Sequence, residues 1–147
     1  MFTVDKIRNI LNNATINNAL INFGNSSILA LGHHPLGNCW KIDIQNIYSS
    51  QQSVYSLDIS NALLTTSGRL PQKAPHIISP ITGCICNENA TISVITNSAV
   101  DGEVLSTALF AAEKEEQQKL ILQNFNIDKA YKVVYNNLLF QTEIIEA

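Results

Sequence analysis

The stretch His76-Ile-Ile-Ser79-Pro80-Ile-Thr82-Gly83 places a histidine just ahead of a Pro-x-Thr-Gly turn. A short strand running into such a turn brings an imidazole, hydroxyls and turn N–H groups close together. That combination can hold a phosphate or poise a general base. The same residues also describe a strand ending in a tight turn, with His76 merely half-buried. A second group is Glu103-Val-Leu-Ser106-Thr107. Glu103 and Thr107 are four apart, so on a helix they share a face. A carboxylate and a hydroxyl near a helix start suit a hard, oxygen-liganded cation such as Mg²⁺. They equally suit the polar side of an amphipathic helix.

Two further segments can present polar groups to a ligand. Asn22-Phe23-Gly24-Asn25-Ser26-Ser27 reads as a strand ending in a Gly-containing turn, with backbone donors available or a plain β-turn. Thr65-Thr66-Ser67-Gly68 reads as a similar strand-end turn, its hydroxyls meeting a ligand or satisfying the turn itself. His33 and His34 have no carboxylate or Cys at ligand spacing and read as surface residues. Cys39, Cys84 and Cys86 are odd in number and lack structural-zinc spacing, so they read as free thiols.

The elements that must position these groups follow from periodicity. Val4, Ile7, Ile10 and Leu11 recur at helical spacing, predicting a helix over about Val4 to Asn12. Ala19 to Phe23 and Ile28 to Leu31 are apolar runs of strand length about the Gly24-Asn25 turn, and His33 to Gly37 is a loop. Trp40, Ile42 and Ile44 alternate with polar residues, which predicts a half-buried strand. Val54 to Ile59, Asn61 to Thr66 and the β-branched Thr91 to Ile95 are further strands, and His76 to Ile78 is short and extended. Gly68 to Pro75 is a loop. The period then changes. Val104, Leu105, Ala108 and Leu109 mark a helix, with Ser98 and Asp101 fitting a capping box at its start. A second helix, about Glu115 to Asn124, carries Leu120 and Leu122. Tyr131 to Tyr135 and Leu138 to Thr142 flank Asn136-Asn137 as a hairpin. Strands outnumber helices, so the expected fold class is α+β, a mostly antiparallel sheet covered by helices.

Composition narrows the function. The 147 residues suffice for one domain with a sizeable core, expected over 1–147, and 46% of them are apolar. Only 14% are charged, the net charge is −3, and Lys114 and Lys119 sit among Glu113, Glu115 and Glu116. No basic stripe exists to follow a phosphate backbone, so nucleic acid is not an expected partner. No apolar run approaches the roughly 18 residues of a membrane span. Met1 to Ile10 lacks the apolar core of a signal peptide, and no Cys lies near the start to carry a lipid. The expected location is therefore the cytoplasm, away from membranes.

The segments occur in a recognisable order: Val4-Asp5, Asn18 to Gly24, Ala30-Leu-Gly32, Pro35-x-Gly37-x-x-Trp40-x-Ile42-x-Ile44, Thr66-Ser67-Gly68, His76-Ile-Ile-Ser-Pro80-x-Thr82-Gly83 and Leu105-Ser-Thr107-Ala-Leu-Phe110. Together they resemble the C-terminal half of the FAD:protein FMN transferases of the ApbE type, from Met1 to about Tyr135. The His-x-x-x-Pro-x-Thr-Gly and Leu-Ser-Thr-Ala-Leu-Phe pieces are the most specific. The resemblance implies Mg²⁺-dependent cleavage of FAD and transfer of FMN to a Thr or Ser hydroxyl of a target protein; some relatives hydrolyse FAD instead. It implies His76 as the active-site histidine, Glu103 and Thr107 as metal ligands, and Gly24, Thr66, Ser67, Gly68 and Thr82 in the flavin-binding loops.

Several positions depart from the family pattern. Glu103 stands where the family usually has Asp, and Ser79 replaces the Asp of its His-x-x-Asp-Pro. Gly24-Asn25-Ser26 replaces a Gly-Gly-Asn turn, and Ser67-Gly68-Arg69 replaces Ser-Gly-Asp. The family's Lys-Gly-x-x-Val-Asp lysine and its N-terminal half are expected to be missing. The expected partners are therefore a flavin nucleotide and either a chain supplying that half or a second copy. The other expectation is an inactive domain of this fold, serving as a ligand-binding or protein-interaction module.

Overall fold

Period-two alternation and β-branched composition build the strands of this chain, and helical spacing builds its helices. In the computed structural model, which describes residues 2–24, 26–69, 74–112, 114–136 and 139–147, they give eight strands and three helices. These are α1 (Phe2–Asn13), β1 (Ala19–Phe23), β2 (Ser27–Leu31), β3 (Trp40–Asn46), β4 (Ser49–Ile59), β5 (Ala62–Gly68), β6 (Ala90–Thr96), α2 (Ala99–Ala111), α3 (Glu115–Phe125), β7 (Lys129–Asn136) and β8 (Leu139–Glu146). Three expected features lie partly outside the described residues: Asn25 of the β1–β2 turn, the middle of the 68–75 loop, and Asn137 with Leu138 of the terminal hairpin.

Six strands form one antiparallel sheet in the order β1-β2-β5-β6-β7-β8. The remaining two, β3 and β4, pair with each other alone. The hairpin interrupts the meander between β2 and β5 and folds over one face of the sheet. There Ile42, Leu57 and Ile59 pack on Ala30, Ala62 and Leu64. On the opposite face, Leu105 and Leu109 of α2 and Leu122 of α3 pack on Ala90, Ile92 and Val94 of β6 and Ala130 of β7. The expected α+β class and antiparallel sheet are therefore present. The cover is divided: helices lie on one face and a two-stranded ribbon on the other. This explains why β5 is buried over Ala62–Thr65 and β6 at every residue but Ile95, since both of their faces are covered there. Exposed Lys41, Asp43 and Gln45 give β3 its clean alternation.

The helices are fixed at their ends. Ser98 Oγ accepts the Asp101 N–H at 3.2 Å, forming the serine half of the expected capping box. Gln118 of α3, buried, donates from Nε2 to the carbonyls of Leu109 and Ala112, each at 3.2 Å. Those are among the last carbonyls of α2 and its C-cap, which have no partner within a helix. The expected apolar stripe of α2 needs correction: Val104 is 51% exposed, and the core face is Gly102, Leu105, Ser106 and Leu109. Leu120 is likewise exposed while Leu122 is buried. Among the described residues no helix is long and apolar enough to cross a membrane.

Candidate functional site

β2 pairs with β5 only as far as Ser27 opposite Thr65, and Thr66 N–H then bonds the Ser26 carbonyl. Ser67 and Gly68 extend beyond it, still paired to β6 on their other side. An open cleft of about 1610 Å³ surrounds this part of β5. α2 forms one wall through Glu103, Val104 and Thr107. The hairpin forms another through Lys41, Asp43 and the Asn46–Tyr48 corner. Gly24, Ser26 and the His76–Ile78 segment also line the cleft.

Seven of the eight site residues expected from sequence line this one cleft: Gly24, Thr66, Ser67, Gly68, His76, Glu103 and Thr107. Thr82 is outside the lining. It sits exposed in the turn after Ser79, its N–H donating to Ser79 Oγ at 3.4 Å and its Oγ1 accepting the Cys84 N–H at 3.3 Å. His76 is exposed rather than half-buried, and its segment is extended with a single bridge, Ile78 to Ile85, in place of a strand. Thr66, Ser67 and Gly68 are the end of β5, not a turn.

Two glycines meet steric requirements that other residues would not. Gly68 has φ of 152°, and a Cβ there would lie 2.3 Å from the Ala90 carbonyl oxygen. Gly24 has φ of 58°, with open space where a Cβ would be. Its conformation alone favours glycine.

A seam of hydroxyls joins sheet to helix beside the cleft. Ser67 Oγ is 2.8 Å from Ser106 Oγ and 3.0 Å from Thr107 Oγ1, and Ser106 Oγ donates to the Glu103 carbonyl at 3.4 Å. Thr66 Oγ1 and Ser93 Oγ, at 2.8 Å, form a second pair. Glu103 and Thr107 therefore share the expected helix face, and Thr107 is held from the sheet side by Ser67. The Glu103 carboxylate and the Thr107 hydroxyl, with space beside them for phosphate oxygens, are a donor set that fits Mg²⁺, which is commonly held by one or two carboxylates plus substrate phosphates. Among the described residues no group of three or more His, Cys, Asp or Glu could hold a metal ion, so the cysteines form no such site. They are free thiols.

Two of the altered positions, Ser79 and Arg69, make structural contacts outside the cleft lining. Ser79 is buried, and its N–H bonds the Cys84 carbonyl at 2.9 Å. Arg69 turns away toward the Asn87 carbonyl at 3.0 Å. Sequence reasoning missed Lys41 and Asp43 as cleft residues. Their signal was the polar phase of β3, which could not reveal that the hairpin leaves the main sheet.

An antiparallel sheet covered by helices on one face and by a hairpin on the other, with a cleft lined by hydroxyls, two carboxylates and one histidine, defines an α+β fold with a candidate ligand site. The chain belongs to the ApbE family, whose pattern matches residues 2–130. It is similar to the FAD:protein FMN transferase of Klebsiella pneumoniae (strain 342), with 27% identity over 139 residues, covering 88% of this chain and 42% of that protein. Its fold matches the flavin transferase ApbE of Vibrio cholerae, with a TM-score of 0.73 and 23% identity, across 97% of this chain and 47% of that one. It also matches the apo flavinyl transferase ApbE of Pseudomonas stutzeri, with a TM-score of 0.72 and 21% identity, across 97% and 45%. The chain thus spans less than half the length of each of these relatives.

Proposed function

We propose that this chain acts as the C-terminal half of an FAD:protein FMN transferase, folded as one domain whose cleft holds FAD. The observation that carries this is the meeting of Glu103, Thr107, Ser67 and His76 in one cleft of an ApbE-family chain. Glu103 and Thr107 would hold Mg²⁺, which neutralises charge on the diphosphate when bound. Ser67 orients the Thr107 hydroxyl. Lys41, on the opposite wall, adds a positive charge for phosphate oxygens. The acceptor is a Thr or Ser hydroxyl of a target protein. Its oxygen bonds to the FMN phosphorus as the bond from that phosphorus to the AMP phosphate oxygen breaks. His76 takes the acceptor proton, and AMP leaves.

The cleft is open, and Leu20, Ile78 and Val104 on its walls are 43%, 58% and 51% exposed. Exposed apolar walls of a ligand cleft suit a covering polypeptide. We assign that role to a chain supplying the other half of the enzyme, or to a second copy. The test is titration of the purified chain with FAD, with and without Mg²⁺, following flavin fluorescence and the release of FMN and AMP. Mg²⁺-dependent binding supports the reading, and turnover shows that the chain suffices alone. No binding, alone or with the N-terminal half of a relative added, overturns it in favour of an inactive domain.

A further inference from the structure

Ala99 begins α2, so its N–H has no partner within the helix. The group that takes it comes from the other end of the sequence: Asp5 Oδ1, on α1, accepts it at 3.1 Å. One turn along α1, Arg8 donates through Nη1 to the Asn97 carbonyl, two residues before the helix. Between these polar contacts Val4, 2% exposed, packs with Leu29, Leu63 and Ala99. Ser98 Oγ caps Asp101 locally, and Asp5 adds a second carboxylate to the one that Asp101 carries in the first turn. A carboxylate there is favoured by the helix dipole as well as by its hydrogen bond.

The placement of this corner matters because Glu103 follows Ala99 by one turn and Thr107 by two. From below, Gly102 lies so close to the sheet that a Cβ would be 2.5 Å from Thr65 Oγ1. The helix is held from beneath by the sheet and at its start by α1. We propose that Asp5 is a positioning residue, with Arg8 beside it. Together they clamp the β6–α2 corner and so set where Glu103 and Thr107 stand in the cleft. The functional part of this proposal rests on the reading of that cleft as an FAD and Mg²⁺ site. Asp5 touches neither ligand in this account. It acts through the backbone of α2.

The test compares Asp5→Ala and Asp5→Asn in the full chain. Asn keeps an oxygen acceptor and Ala removes it. Amide hydrogen exchange is read at Ala99 to Gly102 and, as a control, at Ile92 and Val94 of β6. The expected result is roughly fivefold faster exchange at the helix start in Asp5→Ala, the size of a lost helix cap. The β6 amides should be unchanged and Asp5→Asn largely restored. Unchanged exchange at Ala99 overturns the clamp. The second readout is the Mg²⁺ concentration needed for half-maximal FAD binding. It should rise several-fold in Asp5→Ala and recover in Asp5→Asn, with metal-free flavin affinity constant. Altered exchange with an unaltered Mg²⁺ requirement overturns the positioning role. If the unmutated chain shows no Mg²⁺-dependent binding, the functional reading fails, while the exchange result still decides the clamp.

Discussion

Ser67 on β5 and Thr107 on α2 stand with their hydroxyl oxygens 3.0 Å apart, and Ser67 is also 2.8 Å from Ser106. One strand-end hydroxyl thus serves two hydroxyls on consecutive residues of the helix. The contact is neutral, so it fixes the helix without adding charge to the cleft. It also turns Thr107 Oγ1 from a freely rotating group into an oriented one.

Ser67→Ala is expected to lower stability by about 1 kcal/mol, the net worth of a typical hydrogen bond. Urea denaturation checks that figure. In the same variant the Mg²⁺ requirement for FAD binding should rise, because Thr107 loses its orientation. An unchanged requirement would show that the seam is structural only.

Gly102→Ala sets two effects against each other. Alanine favours a helix over glycine by about 1 kcal/mol. The new Cβ, however, would lie 2.5 Å from Thr65 Oγ1 and 2.9 Å from Thr96 Oγ1. Overpacking of that kind costs about 1–3 kcal/mol, so a net loss is expected. Thr65 Oγ1 is buried without a hydrogen-bond partner. Thr65→Ala should therefore relieve part of the strain, and a double-mutant cycle should show the two changes to be coupled. Additive effects would mean that α2 does not rest on Thr65.

These contacts mark where the sequence stopped being legible. Ala19 to Phe23, Trp40 to Ile44 and Thr91 to Ile95 showed as strands because their own alternation or β-branching depends only on near neighbours. The shared face of Glu103 and Thr107 was likewise local, following from helical spacing. Val104 was misplaced because α2 is apolar on nearly every side, so spacing could not say which face meets the sheet. The bond from Asp5 to Ala99 spans 94 residues, and no periodicity records it. Thr82 was grouped with the site by motif order, and it lies outside the cleft lining. Lys41 was visible as a polar strand residue, but its place in the cleft depends on a hairpin folding over the sheet.

Tyr55, between the hairpin and the sheet, stacks on Tyr131 with ring centroids 5.4 Å apart. Its hydroxyl is buried without a well-formed hydrogen bond. Burial pushes its pKa from 10.0 up to about 12, and burial also raises that of Tyr135. Below pH 10 the proton stays on Tyr55 in the folded and unfolded chain alike, so its contribution is fully present. As pH climbs from 10 toward about 12, the unfolded chain releases the proton first and stability falls. One group can account for at most roughly 1.4 kcal/mol per pH unit. Tyr55→Phe should flatten this alkaline decline and change neutral-pH stability little. Denaturation at several alkaline pH values checks both, and an unchanged slope would remove Tyr55 as a source.

Glu103 is the one carboxylate that α2 brings to the cleft lining, so the central claim rests on it. The most direct measurement is the Mg²⁺ dependence of FAD affinity in the unmutated chain and in Glu103→Gln, which keeps the shape and removes the charge. Mg²⁺ is expected to tighten FAD binding in the unmutated chain, with this gain lost in Glu103→Gln and metal-free affinity unchanged. An equal Mg²⁺ effect in both proteins would contradict this and place the cation away from α2.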